Sequence, residues 1–120
     1  FYEYGADGSK EVWSGLSDLY GREGVEISDQ DIKERLLFRQ VIEALKCLET
    51  GVLRSVADGN IGSIMGIGAP AWTGGLLQFV NTYGLQNFID RCDELSEAYG
   101  DRFAAPAIVA EKLAAGDTFV

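Results

Sequence analysis

Ser28-Asp29-Gln30-Asp31-Ile32-Lys33-Glu34-Arg35-Leu36-Leu37-Phe38-Arg39-Gln40-Val41-Ile42-Glu43-Ala44-Leu45-Lys46-Cys47-Leu48-Glu49-Thr50-Gly51 is the stretch whose reading decides the fold class. Ile32, Leu36, Val41, Leu45 and Leu48 recur at helical steps, and Leu37, Phe38 and Ile42 widen the stripe. A helix with so broad an apolar face is covered on more than one side. Ser28 is placed to cap the first free N–H groups, and the acidic residues behind it suit the positive helix end. Asp29–Lys33 and Asp31–Arg35 stand four apart in the favourable order. Gly51 sits where a left-handed residue closes a helix.

Further helices follow on either side. Downstream, Asp58 is expected to cap a short helix carrying Ile61, Ile64 and Met65. After the loop Gly66-Ile67-Gly68-Ala69-Pro70-Ala71-Trp72, Thr73 is expected to cap a third, with Leu76, Leu77, Phe79, Val80 and Tyr83, stopped by Gly84. A fourth runs from about Leu85 to Tyr99, with Gly100 as its stop, and Pro106 opens a fifth that ends at Gly116. No stretch alternates with period two for long enough to make a sheet. The fold class is therefore all-α, a compact bundle of about five helices. Upstream, residues 1–27 hold five glycines and the aromatics Phe1, Tyr2, Tyr4, Trp13 and Tyr20. They read as an irregular lead-in lying on a neighbouring surface, with a short helix within 12–20.

Composition bounds the chemistry. The 120 residues carry 10 basic and 19 acidic side chains, a net charge of −9, and no histidine. That balance argues against nucleic acid as a partner. The absent histidine removes the commonest general base, every Ser–His or Cys–His nucleophile pair and most zinc sites. Cys47 and Cys92 form no CxxC and read as two buried thiols. No apolar run is long enough to span a membrane. The first residues do not read as a signal peptide, and without an initiator Met the chain reads as part of something longer.

Three constellations invite a functional reading. Gly66-x-Gly68-x-x-Ala71, with Asp90 about twenty residues on, matches the dinucleotide fingerprint by letter. The fingerprint works only between a strand and a helix, and here Pro70 interrupts it and Asp90 lies mid-helix, so it reads as a tight interhelical loop. Asp90, Asp93, Glu94 and Glu97 form an acidic stripe that reads as a solvated face. Glu43, beside the apolar stripe, needs a cation and is expected in an internal ion pair with Arg39 or Lys46. Trp72, in a Gly/Pro loop, suits an interface anchor or a residue folded back into the core, and both stay open.

The helix from Glu34 to Gly51 resembles the first helix of the C-terminal helical domain of 3-hydroxyacyl-CoA dehydrogenases, which runs N-R-x-x-x-P-x-x-x-E-A-x-x-x-x-E-x-G. Asp58, Gly66-x-Gly68-x-Pro70 and Gly74 resemble that family's D…G-x-G-x-P-x-x-G-P. Arg102-Phe103…Pro106…Gly116…Phe119 resembles the extreme C-terminus of multifunctional β-oxidation proteins that join an enoyl-CoA hydratase, an NAD domain and two copies of this helical domain. The family's substrate-site Asn falls on Glu34, its Pro after the second loop glycine on Gly75, and a later Asp on Asn81.

The resemblance implies a second, degenerate copy of the domain over 28–120, of the 6-phosphogluconate-dehydrogenase C-terminal type, with 1–27 as the connector from the preceding domain. It implies a non-catalytic scaffold or pseudo-dimerisation role, no catalytic, cofactor-binding or metal-ligating residue here, and NAD bound elsewhere in the parent. The loop positions Gly66, Gly68, Pro70, Trp72, Gly74 and Gly75 would lie at the packing surface, and Glu34 at a lapsed substrate position. Partners so implied are the preceding helical copy, the NAD domain and a thiolase subunit, in a bacterial cytoplasm; surface left bare by excision would also let the isolated chain pair with a second copy. The alternative is a stand-alone helical module that binds a partner helix or an acyl chain.

Overall fold

The long helix forms where the periodicity puts it. In the computed structural model, which describes all 120 residues, α2 spans Asp29–Glu49 after a short α1 at Gly15–Tyr20. Ser28 Oγ accepts the Asp31 N–H at 3.1 Å, and Gly51 closes the helix at φ +76°. The helices α3 (Val56–Ile67), α4 (Leu76–Tyr83), α5 (Leu85–Tyr99) and α6 (Ala107–Ala115) follow, with single 3₁₀ turns at Ala71–Thr73 and Asp101–Phe103.

The core is built around α2 and α4. Phe38, Val41, Ile42 and Leu45 of α2 meet Leu76, Leu77, Phe79 and Val80 of α4, and Phe88, Cys92 and Leu95 of α5 close the layer. Phe38 stacks on Phe88 with ring centroids 4.7 Å apart, and the rings of Phe79 and Tyr83 meet it edge-on. Each fully buried side chain of this kind contributes about 1.5–3 kcal/mol. Phe103 and Phe119 carry the tail into the same core. Asn81 fixes the chain end: its Nδ2 donates to Phe119 O at 2.8 Å, and the Phe119 N–H donates to its Oδ1 at 2.9 Å. A carboxylate at that position has no N–H for the first of these bonds.

Two caps differ from the sequence reading. Ser55, not Asp58, caps α3, and the Asp58 N–H donates to Ser55 Oγ at 3.1 Å. Asp58 stands in the first turn, where its charge suits the helix end. Thr73 lies in the 3₁₀ turn and accepts the Gly75 N–H, so α4 begins at Leu76 behind Gly75. The free N–H groups of α4 are satisfied from α3 instead. Asn60 Oδ1 accepts from Leu77 at 3.0 Å and Gln78 at 2.9 Å, and Ser63 Oγ accepts from Leu76 at 3.2 Å. Local sequence around α4 contains no sign of this, because its capping groups lie 13 to 18 residues upstream.

Side-chain pairing on α2 also differs. Neither Asp29–Lys33 nor Asp31–Arg35 forms; Asp31 pairs with Arg91, and Arg35 lies over the Tyr99 ring at 4.1 Å. Glu43 does pair with Arg39, at 2.9 Å, but on the surface rather than inside. Cys92 is buried while Cys47 is only half-covered, and the two are free thiols.

The lead-in contains a small sheet after all. Tyr2–Tyr4 (β1) and Lys10–Val12 (β2) pair antiparallel, with Tyr2 opposite Val12. Three-residue strands are too short to register as alternation, and all six residues are exposed. No residue of 1–27 is buried. The arm stretches the molecule to 55 × 33 × 23 Å, with a radius of gyration of 17.5 Å. A single compact body of this length has about 14 Å.

Gly75 generates a stability prediction. Its φ is +110°, and a Cβ there would sit 2.5 Å from Asn60 Cα. Gly75→Ala combines a strained backbone with a clash that moves the capping acceptor, Asn60, at a cost of about 3 kcal/mol or more. Gly51→Ala, at positive φ but in open space, costs about 1 kcal/mol. Urea unfolding of the two variants against the parent chain measures the difference.

Candidate functional site

The site positions singled out from sequence divide between two places. Glu34, Pro70 and Trp72 line one open trough of about 480 Å³, with Leu37, Phe79 and Tyr83 as its apolar wall. Trp72 is 78% exposed, which settles its orientation outward. Gly74 and Gly75 do not line the trough; both take positive φ at the start of α4, where a Cβ on Gly74 would meet Gln78 and one on Gly75 would meet Asn60. Gly66 lies inside the last turn of α3, and Gly68 ends that helix in the left-handed region. The loop therefore contributes two exposed residues to a surface, while its glycines serve the backbone path.

Glu34 is bound from three sides. Arg91 Nε donates to Glu34 Oε2 at 2.7 Å; Tyr83 OH and Gln30 Nε2 donate to Oε1, each at 3.1 Å. Its side chain is only 14% exposed. Arg91 reaches further: Nη1 bonds Glu94 at 2.7 Å, and Nη2 bonds Asp31, whose second oxygen accepts from Tyr99 OH at 2.6 Å. One guanidinium thus joins α2 to α5 through three carboxylates. No buried side-chain polar atom lacks a partner.

This geometry governs ionisation. The Tyr99 hydroxyl, followed by Arg91, holds the Asp31 carboxyl below the usual carboxylate range. Burial opposes the Arg91 charge, but bonds to Glu94, Glu34 and Asp31 outweigh it and hold the proton more firmly than usual. Burial and the Glu34 charge push the Tyr83 phenol up to about 12. Burial alone accounts for most of the rise of the Cys92 thiol to about 12. None of these groups is a base poised near neutral pH, which is what proton transfer in catalysis requires. No group of three His, Cys, Asp or Glu side chains is gathered as a metal site.

The acidic stripe of α5 lies in solvent, with Asp90, Asp93, Glu94 and Glu97 all exposed. Asp90 accepts from Gln86 and Glu94 from Arg91, so the stripe is tied along the helix surface. Sequence reasoning passed over Asn60, Ser63 and Arg91, gave Tyr99 no polar role and paired Asp31 with Arg35. One signal was available: Asn60 and Ser63 are polar residues three apart within an otherwise apolar or glycine-rich helix.

A second trough, about 410 Å³, opens between α2 and α3, where Ala44, Cys47, Val52, Leu53 and Ile67 form an apolar wall. No helix is long and apolar enough to cross a membrane.

Comparison with known proteins gives a consistent result. The chain is 36% identical to the fatty acid oxidation complex subunit alpha of Shewanella amazonensis, over 99% of this chain and 17% of that protein. It is 35% identical to the protein of that name from Vibrio cholerae, over 87% of the chain and 15% of the relative. Identity reaches 41% with the Vibrio vulnificus protein, over 65% of the chain and 11% of the relative. The chain thus spans no more than 17% of the length of these curated relatives. No protein-family profile matches it.

The Arg91 cluster makes stability depend on pH at both ends. Asp31 has a lowered folded-state pKa, so its contribution is present above its unfolded value of about 3.9 and is lost as pH falls below that. Tyr83 is raised from its ordinary value of 10.0 to about 12, so its contribution is present below 10.0 and is lost as pH climbs toward 12. Arg91→Met is expected to lower the melting temperature at pH 7 by roughly 5–10 °C, since it leaves the largely covered carboxylates of Asp31 and Glu34 without their cation. It also flattens the acid limb, which thermal unfolding from pH 3 to 11 records. For the thiols, a disulfide-exchange reagent labels Cys47 in the native chain and reaches Cys92 only after unfolding; equal labelling rates contradict the packing described.

Proposed function

The chain is homologous to one segment of the fatty acid oxidation complex alpha subunits, and from that kinship we propose that it is their second, degenerate C-terminal helical copy, a non-catalytic scaffold. Residues 28–120 form the domain in this reading, and 1–27 connect it to the domain before. The whole subunit would hydrate enoyl-CoA and oxidise (S)-3-hydroxyacyl-CoA to 3-ketoacyl-CoA with NAD⁺. A histidine outside this chain would take the hydroxyl proton as hydride leaves, and NAD⁺ would bind in a separate domain. This chain would buttress the preceding helical copy and the NAD domain, with Trp72 and the Gly66–Gly75 loop at the contact. A thiolase subunit, and a bacterial cytoplasmic setting, fit the same reading.

The observation that carries the proposal is the state of Glu34. The corresponding family residue is an Asn that meets substrate. Here the side chain is consumed by Arg91, Tyr83 and Gln30. A carboxylate only accepts, so it cannot donate to a substrate carbonyl as an Asn amide can, and three of its roughly four acceptor sites are already taken here.

The exposed arm supports a connector role. A two-stranded hairpin has little stability alone in water, and Phe1, Tyr4 and Tyr20 of this arm are largely exposed. Such surface calls for a covering partner. The same bare surface would let the isolated chain pair with a second copy.

The test is an assay of the chain with acetoacetyl-CoA and NADH, where no turnover above background is expected. Glu34→Asn, which restores the family residue, is expected to remain inactive and to melt below the parent chain, because Arg91 loses a charged partner. Turnover by the chain alone refutes the scaffold reading. The apolar trough beside Cys47 favours a second reading, in which an acyl chain is held between α2 and α3. Calorimetry with a fatty acyl-CoA at high micromolar concentration decides it: heat of binding that is lost in Gly62→Leu supports it, and no heat removes it.

A further inference from the structure

The net charge of −9 conceals a local excess of the opposite sign. A trough of about 390 Å³ runs between the outer face of α2 and the 3₁₀ turn after α5, and its polar lining is three arginines: Arg35, Arg39 and Arg102. Ile32 and Leu36, 45% and 66% exposed, form its apolar ledge.

Two of the three guanidiniums are held by ring contacts that spend little of their charge. Arg35 lies over the Tyr99 ring at 4.1 Å, and Arg102 over the Phe103 ring at 5.2 Å. Arg39 donates to the Arg102 carbonyl and to Glu43. Only Arg39 has a carboxylate within 4.0 Å, that of Glu43; Asp31 and Glu34, also on α2, are taken by Arg91. Stacking on a ring face leaves the edge N–H donors of a guanidinium free. Two uncompensated cations therefore line one concavity, pre-positioned and beside exposed aliphatic carbon.

From this we propose that the Arg35–Arg39–Arg102 trough binds a soluble organic phosphate, with a phosphate monoester between the guanidiniums and an apolar or planar portion of the ligand against Ile32 and Leu36. A monoester carries up to two negative charges and three acceptor oxygens, which match two free guanidiniums. A lone carboxylate would satisfy one of them. Arginine is also the side chain whose fork fits phosphate oxygens in pairs. A trough of this volume is of the size that small-molecule sites show. The site is independent of the scaffold reading, since it uses neither Glu34 nor the Gly66–Gly75 loop.

The test is a titration of the isotope-labelled chain with adenosine 3′,5′-bisphosphate, followed by amide shifts, with octanoate and inorganic phosphate as comparison ligands. Expected is saturable binding of the bisphosphate, with shifts centred on residues 32–39 and 101–103, and weaker binding of the other two. Arg35→Gln and Arg102→Gln should each weaken it by about tenfold, the loss of one charge-assisted pair. Lys112→Gln, remote from the trough, should leave it unchanged. Arg102 is exposed, so its variant keeps the fold, and a melting curve checks this. No binding at millimolar bisphosphate, shifts centred elsewhere, equal loss in Lys112→Gln, or tighter binding of octanoate would each overturn the proposal.

Discussion

One guanidinium decides how the two longest helices meet. Arg91 projects from α5 and bonds Asp31 and Glu34 of α2 and Glu94 of its own helix. The apolar faces of α2 and α5 would pack in several rotations about their axes, because the hydrophobic effect has no direction. Three charge-assisted bonds with fixed geometry allow far fewer. Tyr99 and Tyr83, each donating to one of those carboxylates, extend the same selection to the end of α5 and to α4. Such a cluster contributes little net stability when its desolvation is counted. Its effect is on which packing is chosen, and the stacked Phe38 and Phe88 rings sit in the register that it sets.

A second polar device acts at the other side of the core. Asn60 and Ser63 supply the N-terminal cap of α4 from a neighbouring helix, so α3 and α4 cannot shift without stranding three N–H groups. Gly75 permits the approach, and Gly59 permits the packing of Leu77, whose Cδ1 would lie 2.6 Å from a Cβ at that position. Within residues 59–75, Gly59 and Gly75 are thus tied to the close approach of two helices, whereas a Cβ at Gly62, Gly66 or Gly68 would meet nothing within 4 Å.

The helices were legible because their signals are local. Apolar spacing, Ser28 and the glycines at 51, 84, 100 and 116 act within one or two turns, and the structure follows them at each point. The failures share a cause. Asp58 and Thr73 were each plausible caps by residue type, yet Ser55 stood three residues earlier and Asn60 came from another helix. Asp31 and Arg35 were correctly spaced for each other, but each found a better partner across the helix interface, in Arg91 and Tyr99. Glu34 stood out only through the resemblance to a family, and its bonds to Tyr83 and Arg91 span 49 and 57 residues. Pairings over that separation depend on the fold and cannot be read from spacing.

The charge balance shows the same limit in another form. A net charge describes a solution property and says little about a surface whose charges are sorted. Here the acids Asp90, Asp93 and Glu97 gather on the solvent side of α5, and the arginines 35, 39 and 102 gather between α2 and the turn that follows α5. Arg91 is what separates the two sets. By binding Asp31 inward, it removes from the α2 surface the carboxylate spaced to pair with Arg35. The interaction that fixes helix packing thereby also leaves an electropositive trough on an acidic protein.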